Sequence, residues 1–138
     1  MKVRFTVPGE PFGKQRPVVV DGNAFTPKKT VIYENLVKTE YERQCRGQRF
    51  PDNAVLDARI TAYYSIPKST SKKKRQMMLD HRIRPSKTPD TDNIAKAILD
   101  SGNGIIYKDD KQVVDLQVRK FYSEQPRVVV TIQEATSY

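Results

Sequence analysis

Cysteine and histidine are nearly missing from this chain: among 138 residues there is one of each, Cys45 and His81. A lone cysteine rules out an intrachain disulfide and points to a reducing compartment. Structural zinc takes four nitrogen or sulfur ligands, which this pair cannot supply. Long apolar runs are missing too, since no segment approaches the roughly 20 residues that span a bilayer. The opening Met1-Lys2-Val3-Arg4-Phe5 lacks the apolar core of a secretory leader. The expectation is a cytoplasmic protein with no membrane partner. Repeats, low-complexity tracts and long linkers are absent, so residues 1–138 are expected to form one domain.

Acidic residues are the minority charge. Lys and Arg number 25 against 16 Asp and Glu, a net charge of +9. Such an excess on one small domain points to a polyanion, most commonly DNA or RNA. The alternative is a basic surface kept for solubility.

The apolar pattern predicts alternating elements. Residues 2–7 alternate as a strand, and Pro8, Gly9, Pro11 and Gly13 then impose a loop. Arg16–Val20 and Ala24–Thr26 flank Asp21-Gly22 as a hairpin. Thr26-Pro27 reads as an N-cap and first-turn proline opening a helix to about Arg46, with Val31, Ile32, Leu36, Val37 and Tyr41 as its apolar stripe and Gly47 as its stop. Val55–Ile66 is a strand with Leu56, Ala58, Ile60 and Ala62 on one face. Ser71–Leu79 reads as a short Lys-rich helix, Arg82–Pro89 as irregular chain, and Asn93–Leu99 as a short helix stopped at Ser101-Gly102-Asn103-Gly104. Val113–Tyr122 and Arg127–Gln133 close the chain as a hairpin around Ser123–Pro126. The fold class is α+β, a mixed sheet with helices packed against it.

The densest chemistry lies in Pro89-Asp90-Thr91-Asp92-Asn93-Ile94-Ala95-Lys96. Two carboxylates two residues apart project to one side of extended backbone, and Mg²⁺ needs only two or three such ligands because it keeps several waters. Lys96 follows Asp92 by four residues and could meet a phosphate. Alone, this octapeptide reads more readily as a helix cap. A second acidic cluster, Tyr107-Lys108-Asp109-Asp110-Lys111-Gln112, reads alone as a charged turn. The two flank a short helix and a Gly turn. A helix of about 8 residues is about 12 Å long, so the chain can double back and bring Asp110 or Asp109 beside Asp90 and Asp92. Carboxylates concentrated on a basic protein would repel a phosphate substrate unless divalent cations intervene.

The pattern Pro-Asp-x-Asp-Asn-x-x-Lys, then a helix, Gly, and Asp-Asp with Gln two residues on, resembles the RusA family of Holliday-junction resolvases over Lys87 to Tyr122. The loop Pro8-Gly9-Glu10-Pro11-Phe12-Gly13-Lys14-Gln15-Arg16-Pro17 is similar to that of phage and prophage members, as is Ile66-Pro67-Lys68-Ser69 leading into Ser71-Lys72-Lys73-Lys74-Arg75. The resemblance implies a symmetric homodimer that serves DNA recombination and repair. It would make paired nicks in four-way DNA junctions with Mg²⁺, for which Mn²⁺ can substitute, and leave ligatable 5′-phosphate ends. It implies Asp90, Asp92 and Asp110 as metal-binding catalytic residues and Lys96 as essential for cleavage. One departure is that the best-known bacterial member carries arginines immediately before the first Asp. Here Ser86-Lys87-Thr88-Pro89 stands there, with Arg82 and Arg84 further back. The spacing to Asp-Asp is also one residue shorter.

Candidate DNA-backbone contacts are Lys14, Arg16, Lys72, Lys73, Lys74, Arg75, Arg84 and Lys87, which would give affinity and salt dependence rather than sequence readout. For Lys72–Arg75 a solvated helix face is an equal alternative. His81 reads as a surface residue, Cys45 as a small apolar one, and Tyr63, Tyr64, Phe121 and Tyr122 as core or dimer contacts. The dimer interface is expected near Val113–Val118 or on the long helix. Rival readings are a non-catalytic basic DNA-binding protein, a metal-dependent nuclease for other branched DNA or RNA, and a structural domain whose acids are caps.

Overall fold

The computed structural model describes residues 1–136, with Ser137 and Tyr138 outside the described residues. The elements run in the order β1 (Lys2–Pro8), β2 (Val18–Val20), β3 (Asn23–Phe25), α1 (Lys28–Cys45), β4 (Leu56–Ser65), α2 (Lys72–Leu79), α3 (Thr91–Ser101), a 3₁₀ turn (Asp110–Gln112), β5 (Val113–Ser123) and β6 (Arg127–Glu134). The fold is α+β: a four-stranded mixed sheet in the order β1-β6-β4-β5, with helices packed against it.

Alternation decides which face is inside. Val3, Phe5 and Val7 of β1, Leu56, Ala58, Ile60, Ala62 and Tyr64 of β4, and Val128, Val130 and Ile132 of β6 are all buried. Register aligns them, so that Phe5, Val130, Ile60 and Val118 form one row across the sheet. Helices α1 and α3 pack against each other, α1 also against β1 and α3 against β5.

The closing hairpin expected between the last two strands does not form. β4 lies between them, parallel to β5 and antiparallel to β6. The link Glu124–Pro126 steps over β4, a span of about two strand spacings, roughly 9.6 Å. This arrangement pairs β4 on both sides and buries its whole apolar face, whereas a hairpin would leave that strand on an edge. β5 becomes the edge instead, reached from β4 by the α2–α3 crossover that a parallel pair requires.

The α1 stripe also differs from expectation. Thr30, Tyr33, Val37, Tyr41 and Cys45 are buried, at the three- and four-residue steps of one helical face. Val31 and Ile32 fall off that face and are exposed. Pro27, with an extended ψ of 142°, occupies the N-cap position in place of Thr26 and makes no side-chain capping bond, and Lys28 is the first helical residue. Close by, the β2–β3 hairpin leaves Val18, Val19, Val20 and Phe25 exposed.

Candidate active site

Helix α3 begins at Thr91, two residues earlier than the sequence suggested, and this changes how its carboxylates are arranged. Only Asp90 is extended (φ −79°, ψ 164°), at the N-cap position, while Asp92 is already in the first helical turn. The two therefore share the positive end of a helix, which favours both charges, rather than one side of a strand. The Asp90 carbonyl accepts from Ile94 N–H at 3.1 Å, but its carboxylate caps no backbone N–H. It accepts instead from Asn93 Nδ2 at 2.6 Å. That amide and the residue's own backbone N–H hold the carboxyl below the usual range. The preceding residue is anchored by Tyr64, a buried β4 side chain whose hydroxyl donates to the Pro89 carbonyl.

The second acidic cluster is folded back by Tyr107. This ring is fully buried and its hydroxyl donates to the Leu99 carbonyl at the end of α3. Gly102 makes room for it: a Cβ there would stand 2.7 Å from Tyr107 Oη. The 3₁₀ turn that follows separates two neighbouring acids. Asp109 is its N-cap, accepting from Lys111 N–H at 2.9 Å, within a reciprocal capping box closed by Gln112. Asp110 has no such local role. Its backbone N–H donates to Asn103 Oδ1 at 2.8 Å, and the residue lines a groove shared with Asp90 and Asp92. Its carboxyl is pushed up to about 6, first by burial and then by the Asp100 and Asp109 carboxyls beside it.

The groove has a volume of about 630 Å³ and is walled by α3, the loop at residues 14–17 and Asp110. Asp90, Asp92 and Asp110 all open into it, together with Lys96, Lys14 and Arg16. Among the described residues no three His, Cys, Asp or Glu side chains close into a ready-made ion cage. The three acids share an open cleft with room for water ligands. Every donor they offer is a carboxylate oxygen, which suits a hard cation that stays partly hydrated.

The basic residues fall into separate places. Arg16 is exposed at the groove. Lys14 is held by Glu34 at 3.0 Å and Asp100 at 2.9 Å. Lys72, Lys73 and Lys74 are exposed on α2, which packs on β5 rather than lining the groove. Arg75 pairs with Glu124 at 2.9 Å. Arg84 lies 4.3 Å over the Phe121 ring and donates to the Lys120 carbonyl at 3.0 Å. Lys87 is exposed, its ammonium 5.8 Å from the Tyr122 ring. His81 is an exposed residue whose ring lies tilted against Phe121, centroids 4.3 Å apart.

Two groups at the site escaped the sequence reading, Asp100 and Lys120, and Asn93 stood in the motif without its bond to Asp90 being legible. Asp100 was visible in principle, because Asp92, Lys96 and Asp100 recur every four residues and so share a helix face. Lys120, on the inward-facing register of β5, donates to the Lys87 carbonyl at 2.6 Å and faces Asp90. No local pattern announced it.

A family model described as "Endodeoxyribonuclease RusA" matches residues 8–133. An uncharacterized protein of Bacillus subtilis (strain 168), YqaN, is 38% identical over 144 aligned residues, which cover 98% of each chain. The family match takes in every groove residue named above.

Proposed function

This chain belongs to the RusA endodeoxyribonuclease family, and on that premise we propose that it is a Mg²⁺-dependent nuclease resolving four-way DNA junctions by paired, symmetric nicks. The observation that carries the reading is the Asp90 carboxylate, which sits at a helix N-cap, caps nothing, and opens into a groove with Asp92 and Asp110. A structural cap would have been engaged. The alternative of a non-catalytic basic binder accounts for the charge but not for this arrangement.

Asp90, Asp92 and Asp110 would hold the cation, Mg²⁺ or Mn²⁺ in its place. When bound there, a divalent ion supplies polarisation of the scissile phosphate and a water nucleophile acidic enough to act near neutral pH. The chain's own residues do the rest. Asn93 fixes the orientation of Asp90 through its 2.6 Å hydrogen bond. Lys96, one turn along α3 from Asp92, offsets negative charge that develops on the phosphate. Arg16 grips the DNA backbone at the groove, and Lys72, Lys73 and Lys74 extend that grip away from it. With Arg75, Arg84 and Lys14 held by protein partners, their share of any DNA contact is smaller.

A junction has near two-fold symmetry and needs two cuts, which a two-fold homodimer supplies. We place its interface along β5, an edge strand that leaves Val114 and Leu116 exposed and offers unpaired backbone to a second copy. Such a protein would act in recombination and repair in the cytoplasm, and the similarity of its Pro8–Pro17 loop favours a prophage-type member.

The test is cleavage of a synthetic four-way junction beside linear duplex of the same sequence. We expect paired nicks with Mg²⁺ or Mn²⁺, none with EDTA, and little cutting of the linear DNA. Metal-independent cutting, or equal cutting of both substrates, would overturn the proposal.

A further inference from the structure

The loop at residues 12–17 reaches the groove from a distant part of the chain, and several contacts fix it there. Lys14 N–H donates to the Asn93 carbonyl at 3.0 Å. A Cβ on Gly13 would stand 2.8 Å from Pro89 Cβ and 3.2 Å from Asn93 Cβ, so only glycine allows this approach. Phe12 stacks on Tyr33 of α1 at 5.0 Å. Finally, the Lys14 ammonium bridges Glu34 of α1 and Asp100 of α3. One side chain thus ties together the loop and both helices.

Asp100 is an awkward residue without that ammonium. It lies in the last turn of α3, where the helix dipole disfavours a negative charge. It lines the same groove as Asp110, and its negative charge helps push the Asp110 carboxyl up. Two neighbouring carboxylates repel unless a cation sits against one of them. Lys14 is that cation, 2.9 Å from Asp100 Oδ2.

We infer that Lys14 and Asp100 are a positioning pair. The ammonium pins the Asp100 carboxylate to the wall of the groove and keeps it from competing for the cation that Asp90, Asp92 and Asp110 are proposed to hold. The assignment rests on the proposed function. It also changes the role of Lys14, from a grip on DNA to a brace for the acidic site.

The test combines Mn²⁺ binding to DNA-free protein, followed by electron paramagnetic resonance, with steady-state cleavage of a four-way junction. Lys14→Ala leaves Asp100 unpaired and adds an uncompensated charge to the groove. We expect Mn²⁺ to bind about threefold more tightly, while kcat falls about tenfold and KM for the junction stays within about twofold. Asp100→Asn in the Lys14→Ala background should reverse the tightening and recover part of kcat, a non-additive cycle. Lys14→Arg should restore most of the wild-type behaviour. A phosphate grip predicts the opposite pattern: KM rises, Mn²⁺ affinity is unchanged, and the two substitutions add. That result overturns the inference, as does a loss of Mn²⁺ affinity in Lys14→Ala that Asp100→Asn does not reverse. Wild-type protein that binds Mn²⁺ and cuts no junction would instead sink the proposed function, while the Mn²⁺ comparison among variants would still decide the pairing.

Discussion

Asp90 and Asp109 occupy the same structural position in two different places. Each is the N-cap of a helical turn with extended backbone, and each precedes an acid that lines the groove or its helix end. Asp109 uses its side chain as caps do, in a reciprocal box with Gln112. Asp90 makes no capping bond and turns its carboxylate to Asn93 and the groove. Residue type and position do not separate an acid spent on the backbone from one left open to a ligand; what separates them is whether the local backbone takes up the side chain.

The largest effect expected from this contrast is on chemistry. Asp90→Asn and Asp110→Asn should each lower junction cleavage by about a thousandfold or more, with junction affinity in Ca²⁺ and the circular dichroism spectrum unchanged. Asp109→Asn should keep most of the activity. If Asp109→Asn proves as inactive as Asp90→Asn, the division of labour between the two caps is wrong.

A smaller effect is expected on stability, with the order reversed. Asp109→Ala removes a working cap and should lower Tm by about 4 °C. Asp90→Ala removes no capping bond, only the exposed Asn93 bond and a charge at the helix end, and should lower Tm by less than Asp109→Ala. Calorimetry on both variants checks this, and a larger loss for Asp90→Ala would break the comparison.

The smallest expected effect concerns pH. The Asp110 carboxyl is raised to about 6, so the folded state holds its proton more tightly than the unfolded chain, which releases it near the ordinary value of about 3.9. Ionising the group therefore costs stability. That cost is absent below the unfolded value, grows as pH rises between the two, and is complete above about 6. The residue is largely solvent-screened, so the effect is modest. Asp110→Asn should raise Tm of metal-free protein slightly at pH 7.5 and hardly at all near pH 4. Equal shifts at both pH values would remove the role of charge repulsion from Asp100 and Asp109.

These particulars mark what a sequence can convey. β1 and β4 were legible because a strand buried on one face writes its geometry as alternation. The split between β5 and β6 was not, because the strand that enters between them lies far upstream and adjacency along the chain favours a hairpin. On α1, Val37 and Tyr41 were legible in the apolar pattern, but Val31 and Ile32 misled as its most apolar residues, while the buried face also runs through Thr30 and Tyr33, which are only partly apolar. At the site, the two acidic clusters and their return past a glycine turn could be read directly. The choice between Asp109 and Asp110 could not, since it depends on which side chain the 3₁₀ turn engages. Lys14 read as a free cation because both acids that hold it, Glu34 and Asp100, lie on helices elsewhere in the chain.

The place of β6 has a consequence for biosynthesis. This strand is the middle plank between β1 and β4, and Lys2 faces Gln133 across the pair. While a ribosome is still translating residues before Arg127, β4 and β5 can pair with each other, but β1 has no route to join them, however well it is patterned. Cooperative folding of the four-stranded sheet must wait for Arg127–Glu134 to emerge. A nonsense codon shortly before position 127 would therefore yield a chain with two orphaned sheet edges, a substrate for quality-control proteases rather than a shortened enzyme.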